Sequence, residues 1–591
     1  MRAKDAALAS LQAGWEACWP AALAAWSPFL RLRPPTWRLR EEDEGIYDSI
    51  AMIRLLDHTV VINLRKIQEL GLDQRDPAIP AHEAGHHALA TAILAHEAGH
   101  HALCPADLAD NGRLLARMRA GLPTREAFAG LAANLYADLL VNDRLQRGAG
   151  LDMAAVYRAL RGKTREDDRL WRLYMRIYEV LWALPGGTLA AAGPPDPALE
   201  VDAGLGARVV RVYAKDWLKG AGRFAALLLP YFLEIPEQEG LGRGRMIWLD
   251  TAQAGAGIEV PDGLAEIEAD EEAAVHPAED PLVTGEAAAP EKAPVAGDGK
   301  ETVGGVKTYR DPEAYTALMR GLGVDVPEQD LVARYYRERA IPHLIRFPVK
   351  VLGKSMEPQP EGVDVWDTGR SPQEIDWVET AVRSPVVIPG VTTVRRLHGA
   401  VEGPEPARVP TDLYLGIDCS GSMLNPAAHL SHPVLAGAIV ALSALRAGAR
   451  VMACLSGEPG KFHQTRGFIR NPAEVLEVLV NYLGTGYAFG VLRLEDAFLK
   501  GPPPRNPVHV MVVSDHDIFH MLEDAPDGWG VAARALAAAR GGGTFVLHMP
   551  ESYASPEVQR LREQGWNVHF VNTQEEMVDF ARAFARRLYR K

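Results

Sequence analysis

Cysteine is scarce in this chain of 591 residues, which has four, at Cys18, Cys104, Cys419 and Cys454. Their wide spacing gives neither a disulfide framework nor a CxxC zinc motif, and it suits a reducing compartment. Long apolar runs are missing too, since no window reaches the roughly 18 uninterrupted apolar residues of a membrane span. We therefore expect a cytoplasmic protein without a membrane segment.

A basic run with interleaved aromatic residues, which marks many nucleic-acid-binding proteins, is absent as well, so nucleic acid is not expected as a partner. The net charge is -14, and most of it lies in one stretch. Thirteen acids and two lysines stand between Glu259 and Glu301, and no Phe, Trp or Tyr occurs from Leu249 to Thr308. Such a stretch buries too little apolar surface to offset its chain entropy, which predicts a flexible acidic linker over 251–305.

The linker separates parts with different patterns, and a length of 591 residues at about 150 per domain predicts several domains. Residues 1–250 have mainly helical periodicity, with one β-branched run, Thr59–Leu64, that suits an edge strand. Residues 306–405 hold extended, proline-punctuated pieces and are assigned only as a connecting module. From 406 to 591, short apolar strands alternate with helices, which predicts a doubly wound α/β domain around a parallel sheet.

The first strand of the C-terminal part ends in an Asp-x-Ser-x-Ser motif, formed by Asp418, Ser420 and Ser422. Thr485 in a Gly-Thr-Gly loop and Asp515 after the apolar strand VHVMVV complete a set of oxygen-bearing side chains. Hard oxygen ligands suit a small divalent cation such as Mg2+. The alternative is a capped helix start, because Ser and Asp are good N-caps.

This set, in this order on alternating strands and helices, resembles the metal-ion-dependent adhesion site of von Willebrand factor A domains. The resemblance implies a Rossmann-like fold over 406–591 and a bound Mg2+, or Mn2+ or Ca2+, held by the five residues. It also implies an open coordination position for a carboxylate of a partner protein. His516 and Asp517 follow Asp515 where the family often has glycine.

The N-terminal part contains HEAGHH twice, at His82–His87 and at His96–His101. Each copy is an HExxH, in which two imidazoles at i and i+4 share one helix face and can hold Zn2+ while the intervening glutamate serves as general base. The two copies have the form of a local tandem duplication.

The second copy is favoured as the metal-binding one for two reasons. Its helix stops directly afterwards at Cys104-Pro105, and it lies nearer in sequence to Asp138, the third predicted ligand described below. The first copy, with His82, Glu83 and His86, is interpreted as an extension of the helix.

Three polar residues occupy positions i, i+4 and i+8 of an otherwise apolar downstream helix: Asn134, Asp138 and Asn142. A carboxylate at the centre of such a line needs a charge partner, and zinc would serve. The predicted zinc ligands are therefore His96, His100 and Asp138, with water in the fourth position and Glu97 as the general base. The alternative is a buried polar network between two helices.

Together the two motifs resemble bacterial von Willebrand A-domain proteins that carry an N-terminal HExxH metallopeptidase domain and commonly work beside MoxR-type AAA+ ATPases. The resemblance implies a zincin-like helical domain over 1–250 and a zinc-dependent peptidase whose A domain recruits a protein substrate, a client or the ATPase. Tyr136 and Tyr157 are candidates for stabilising the oxyanion, and core packing is the alternative for both.

Two other functions stay open. One is a non-catalytic adaptor or co-chaperone of a MoxR-type ATPase, in which the zinc site is structural. The other is metal storage by the histidine-rich helix, which predicts more than one zinc per chain.

Overall fold

The computed structural model describes residues 2–39, 49–72, 84–160, 168–190, 193–235, 257–268, 271, 274–285, 308–347, 349–457, 460–486, 489–550, 556–573, 576, 578–581 and 584. The chain divides into two compact units. The first is Met1–Glu338 with Ala427–His429, and the second is Arg339–Pro426 with Leu430–Lys591.

The first unit is mainly helical. The helices from the N-terminus to the boundary are α1 (Arg2–Ala24), α2 (Leu64–Glu69), α3 (Ala84–Ala102), α4 (Leu108–Gly121), α5 (Ala129–Arg144), α6 (Met153–Leu160), α7 (Arg169–Leu181), α8 (Pro197–Val212), α9 (Trp217–Leu233), α10 (Pro281–Thr284), α11 (Pro312–Gly321) and α12 (Glu328–Ala340). The strands of this unit are β1 (Thr36–Arg38), β2 (Ala51–Arg54), β3 (Thr59–Asn63), β4 (Glu266–Ile267) and β5 (Thr308–Tyr309).

Two of these helices carry the histidines and the acid singled out above. Helix α3 is rich in alanine, the best helix former, and it ends at Ala102, just before Cys104-Pro105, as predicted. Helix α5 is buried along almost its whole length, as expected of a helix that is apolar on nearly every side. Its position inside the unit takes Asp138 out of water.

The predicted edge strand is instead a central one. In the three-stranded sheet the order is β1-β3-β2, so Thr59–Asn63 pairs in parallel with β1 and antiparallel with β2. Four of its five residues are buried, which fits a strand with neighbours on both sides. Its partners are short and weakly patterned, which is why the sequence did not reveal them. Among the described strands, β2 forms an edge of this sheet.

The described parts of the predicted flexible linker are folded onto the first unit. Glu268 pairs with Arg113 and Arg117 on α4, and Asp280 pairs with Arg223 on α9. Leu264 is 1% exposed. The acidic composition is therefore offset by arginines on the helices, which the local sequence does not show. The rest of 251–305 lies outside the described residues.

The predicted connecting module, 306–405, is divided between the two units. Its first part supplies β5, α11 and most of α12 to the first unit, whose limit is Glu338. Its second part forms a long antiparallel ribbon in the second unit, because the extended proline-punctuated pieces pair with each other. The ribbon runs from the pair Val349–Pro410 to the pair Val365–Val394.

The second unit contains a six-stranded, mainly parallel sheet with helices between its strands. The two strands of the ribbon are β6 (Val349–Val365) and β7 (Val394–Pro410). The six strands of the sheet are β8 (Asp412–Asp418), β9 (Val451–Ser456), β10 (Phe462–Gln464), β11 (Val508–Ser514), β12 (Arg540–Leu547) and β13 (Asn567–Phe570). Its helices are α13 (Trp377–Arg383), α14 (His432–Arg446), α15 (Pro472–Leu479), α16 (Leu492–Phe498), α17 (Ile518–Asp524), α18 (Gly528–Ala539) and α19 (Pro556–Glu563).

The strand order of this sheet is β10-β9-β8-β11-β12-β13, and β10 pairs antiparallel with β9 while the other pairs are parallel. Strands β8 and β11 are buried along their whole length, as continuous apolar runs predict. Strand β8 is central: the next strands, β9 and β10, lie on one side of it in the sheet, and the later strands, β11 to β13, lie on its other side. Ligands of such sheets bind where this reversal leaves a crevice at the carboxyl ends of the strands.

None of the helices in the described ranges combines the length and the apolar character that a bilayer crossing requires.

Candidate metal sites

Helices α3 and α5 bring two imidazoles and one carboxylate together. The Nε2 atoms of His96 and His100 are 3.3 Å apart. Asp138 Oδ1 lies 3.5 Å from Nε2 of His100 and 3.8 Å from Nε2 of His96. His100 and Asp138 are buried, and the His96 side chain is 12% exposed. We call these three residues, with Glu97, the histidine site.

Both rings are oriented by hydrogen bonds from the opposite nitrogen. His96 donates from Nδ1 to Asn142 Oδ1 at 2.8 Å, and His100 donates from Nδ1 to the carbonyl of Cys104 at 2.9 Å. In a neutral imidazole whose Nδ1 carries the proton, Nε2 presents a lone pair. The two lone pairs then point at the same space, which favours a cation between them. Such partners on the outer nitrogen are usual for metal-binding histidines.

The carboxylate of Asp138 is oriented in the same manner. Its Oδ2 accepts a hydrogen bond from Asn134 Nδ2 at 3.1 Å and one from the Tyr174 hydroxyl at 3.4 Å. Both of these hydrogen bonds are made to Oδ2. The other oxygen, Oδ1, therefore faces the two Nε2 atoms, in the position of a third ligand.

A chain of hydrogen bonds connects the second layer of the site. Asn142 Nδ2 donates to the hydroxyls of Tyr157, at 2.9 Å, and Tyr178, at 2.8 Å. Tyr157 donates to Tyr178, and the hydroxyls of Tyr178 and Tyr174 are also 2.9 Å apart. If Tyr178 donates to Tyr174, every bond from His96 to Asp138 runs in one direction. We call Asn142, Tyr157, Tyr174 and Tyr178 the tyrosine relay.

Two members of the relay, Tyr174 and Tyr178, keep their protons. Burial, with the neighbouring tyrosines and Asp138 adding to it, holds the pKa of Tyr174 and Tyr178 well above the usual range. The sequence pattern predicts a role for Asn142 but not for Tyr174 and Tyr178. Their spacing of i and i+4 indicates that they share one face of α7. It does not indicate which helix that face packs against.

The distances fit a tetrahedral metal. Zinc binds imidazole nitrogen at about 2.0–2.1 Å and carboxylate oxygen at about 2.0–2.2 Å, so tetrahedral ligand atoms lie roughly 3.3–3.5 Å apart. The observed separations are 3.3, 3.5 and 3.8 Å. Three protein ligands are also the usual number for a catalytic zinc, which keeps one position open. The donor set and its spacing therefore suit Zn2+.

A proton is the alternative to a metal. If His100 were an imidazolium, its Nε2 would donate toward His96 and Asp138, and the cluster would be the buried polar network considered above. That arrangement gives no reason for Glu97 to lie beside it. Glu97 is buried and lines the same cavity of about 50 Å3 as His96 and Asp138.

The remaining predictions for the first unit concern the first HExxH copy and the two tyrosines considered for stabilising the oxyanion. His82 and Glu83 of the first HExxH copy, and the side chain of His86, lie outside the described residues. Tyr136 donates to the carbonyl of Trp217 at 3.0 Å, in a fully buried position, as a core aromatic would. Tyr157 lines the cavity, but its hydroxyl donates to Tyr178.

The second unit brings the five predicted oxygen-bearing residues to the carboxyl ends of β8 and β11. The Oγ atoms of Ser420 and Ser422 are 2.9 Å apart, and Ser422 donates to Asp515 Oδ2 at 2.8 Å. Ser420 forms a parallel bridge with Thr485. Asp418 completes the group at the last position of β8. We call these five residues the strand-end site.

The two carboxylates of this site are held by neighbouring donors. Asp418 accepts from the backbone N–H of Ser420 at 2.8 Å and from the Ser514 hydroxyl at 2.7 Å. Burial raises the pKa of Asp418 to about 6, although these hydrogen bonds oppose the rise. Asp515 accepts from the backbone N–H of Asp517 at 2.9 Å. A cation is one way to stabilise two neighbouring buried carboxylates.

Access to the strand-end site is through Ser422, which is exposed, while Asp418, Ser420, Thr485 and Asp515 are buried. Asp515, His516 and Asp517 also form a group that could hold a metal ion. His516 is 67% exposed and pairs with Asp517 at 3.1 Å. His516 and Asp517 therefore lie at the rim of the site.

Comparisons with protein-family models, with curated proteins and with solved structures gave no significant match for this chain.

Proposed function

We propose that this chain is a zinc-dependent metallopeptidase that hydrolyses peptide bonds at the histidine site. The observation that carries the proposal is the convergence of His96, His100 and Asp138 at the separations of tetrahedral ligands, with Glu97 in the same cavity. The fold proposed for the first unit is zincin-like, and that proposed for the second is a von Willebrand A-type, Rossmann-like domain.

The protein groups have separate tasks in this proposal. When bound, zinc supplies Lewis acidity, which polarises a carbonyl oxygen and lowers the pKa of a water molecule. Glu97 takes a proton from the attacking water, and the proton passes to the amide nitrogen as the C–N bond breaks. His96 and His100 are fixed by their Nδ1 hydrogen bonds, so little reorganisation is needed during the reaction.

The strand-end site is proposed to bind Mg2+, or Mn2+ or Ca2+, together with a carboxylate of a partner protein. Its oxygen-only ligands suit these hard cations, and the exposed Ser422 leaves one side open. The partner is a protein substrate, a client or a MoxR-type AAA+ ATPase, as the resemblance to von Willebrand A-domain proteins implies.

The experiment for the peptidase compares the wild type with Glu97→Gln on a mixture of peptides, with the zinc content of both measured. We expect equal zinc and loss of cleavage by about 100-fold or more in the variant, the range for a lost general base. The matched control is Glu313→Gln, which changes an exposed glutamate in the first turn of α11 and should cleave normally. Equal cleavage by Glu97→Gln would contradict the proposal.

One observation favours the non-catalytic adaptor as a second candidate. His96 is only 12% exposed and the cavity beside it is small, about 50 Å3, which restricts the approach of a substrate. If the wild type binds zinc and cleaves no peptide or partner-delivered client, the adaptor is the better description.

A further inference from the structure

The cavity beside the histidine site has two kinds of wall. One wall carries His96, Glu97 and Asp138, the residues proposed to act on the peptide bond. The other walls are mainly apolar and come from α6, from the middle of α3, and from the chain that enters β2. A side chain of a bound peptide that projected away from the reacting carbonyl would meet these apolar walls.

Helix α6 supplies one part of the apolar wall. Met153, Val156 and Leu160 line the cavity at positions i, i+3 and i+7, so one face of the helix is turned toward it. Ile93 lies one turn before His96 on α3, and Ile50 directly precedes β2. The pocket is thus lined by α3, which also carries His96 and Glu97, and by the start of β2.

The apolar part contains no counter-charge. Among the described residues that line the cavity, the ionisable side chains other than Tyr157 are His96, Glu97 and Asp138, all of which belong to the proposed reaction site. A charged substrate side chain placed among Met153, Val156 and Leu160 would lose its hydration without gaining a partner, and burying such a charge is strongly unfavourable. The walls therefore select against lysine, arginine, aspartate and glutamate.

Size restricts the choice further. The cavity measures about 50 Å3, whereas an apolar protein cavity that binds benzene measures about 150 Å3. An aromatic ring is therefore too large without movement of the walls. A short aliphatic side chain fits the space and the chemistry.

We propose that this pocket selects substrates with a small aliphatic side chain, such as alanine or valine, next to the bond that is cleaved. The inference rests on the proposed peptidase function, and it names Val156 and Met153 as the residues that set specificity. Val156 limits the size of the pocket from one turn of α6, and Met153 limits it from the preceding turn.

The test uses a set of peptides that differ at one position: Ala, Val, Phe, Lys or Asp. Cleavage of each is measured for the wild type, Val156→Phe and Met153→Ala. Binding of the same peptides to Glu97→Gln is measured separately by fluorescence anisotropy, which needs no turnover. The matched control is Val201→Phe, which makes the same change at a valine of α8 that is 63% exposed. Thermal melting checks that every variant is folded.

We expect the wild type to prefer the Ala and Val peptides over Phe, Lys and Asp. Val156→Phe should lower kcat/KM for the Val peptide by about tenfold or more, the scale for lost space in an apolar pocket. Met153→Ala should raise cleavage of the Phe peptide relative to the Val peptide. Because the two substitutions act in opposite directions, a simple loss of stability cannot produce both results.

The failure of this inference is distinguishable from the failure of the peptidase proposal. Cleavage with no side-chain preference, or with a preference that neither variant changes, overturns the aliphatic pocket and leaves the peptidase intact. If nothing is cleaved but Glu97→Gln binds the Ala and Val peptides selectively, the pocket stands and hydrolysis does not. Absence of both cleavage and selective binding overturns both.

Discussion

His96 Nε2 and His100 Nε2 lie 3.3 Å apart, each on a ring whose other nitrogen donates a hydrogen bond to a fixed oxygen. Two lone pairs held at this distance repel unless a metal ion lies between them or a proton on one ring makes the contact a hydrogen bond. Asp138 Oδ1 lies 3.5 Å from His100 Nε2 in a buried position. A carboxylate there would attract a cation more strongly than one in water, because the protein interior screens charge less. This arrangement is the basis for proposing a metal ion at the histidine site.

Removal of the carboxylate should weaken zinc binding. Asp138→Asn replaces the buried carboxyl group proposed as a ligand with a neutral amide, and we expect the zinc dissociation constant to rise by more than the roughly 10–100-fold that loss of a supporting residue causes. Competition with a chromophoric chelator measures it. The control is Asp152→Asn, since the Asp152 side chain is 58% exposed. Equal affinities for Asp138→Asn and the wild type would remove Asp138 from the ligand set.

The tyrosine relay should matter for zinc affinity although none of its hydroxyls is a proposed ligand. Tyr178→Phe removes an acceptor of Asn142 and Tyr157, and we expect zinc affinity to fall by about 10–100-fold. Tyr136→Phe is the control, because Tyr136 is equally buried but donates to the carbonyl of Trp217 instead. Both variants should lose stability, and only Tyr178→Phe should lose zinc affinity. The same affinity in both would mean that the relay only packs.

The acidic segment offers a test of folding with a matched pair. Leu264→Ala should lower the free energy of unfolding by about 2–5 kcal/mol, because the side chain is buried against the first unit. Leu282→Ala, at a position 57% exposed, should have little effect. Urea unfolding followed by tryptophan fluorescence measures both. If the two variants behave alike, the segment is a loose tether in solution.

Acid should destabilise the second unit through His509. This histidine donates from Nδ1 to the carbonyl of Gly541 and accepts from Thr544 at Nε2, each at 3.0 Å, and burial lowers its pKa to about 4. The unfolded chain, with a histidine pKa of about 6.5, takes up the proton first as the pH falls. Stability on the order of 3 kcal/mol, fully present above about pH 6.5, is thus lost between about pH 6.5 and pH 4.

The measurement is urea unfolding of the wild type and His509→Gln at several pH values across that range. Glutamine does not titrate, so the variant should lose less stability on acidification than the wild type. His463→Gln, at an exposed position of β10, is the control and should follow the wild type. Parallel pH profiles for the wild type and His509→Gln would exclude His509 as the cause.

Metal binding at the strand-end site should depend on its buried carboxylates more than on the exposed rim. Asp418→Asn should weaken Mn2+ binding, measured by electron paramagnetic resonance, by about tenfold or more. His516→Ala should leave it nearly unchanged, because that side chain is 67% exposed. A larger effect from His516→Ala would place the cation at the Asp515, His516 and Asp517 group instead.

Sequence patterns predicted best where the physical cause is local. The strands of the second unit are short apolar runs, and their carboxyl ends were expected to meet, so the assembly of Asp418, Ser420 and Asp515 followed from the topology rule. His96 and His100 come together because residues four apart lie on the same face of a helix. Asp138 was found because a lone acid in an apolar helix needs a partner.

Prediction failed where partners are distant in sequence. Glu268 and Asp280 were assigned to a flexible linker because their arginine partners, on α4 and α9, are not visible in the local composition. Tyr174 and Tyr178 resemble ordinary amphipathic-helix residues until α7 is placed beside α5. Composition indicates whether a segment would fold in isolation. It does not show ion pairs with residues distant in sequence, which here hold the acidic segment in place.

Zinc K-edge X-ray absorption of the protein loaded with one equivalent of zinc tests the central claim most directly. The account predicts a shell of two imidazoles and oxygen ligands at about 2.0–2.2 Å, with the imidazole signal reduced in His100→Ala. A shell with no imidazole, or one that His100→Ala leaves unchanged, would contradict it.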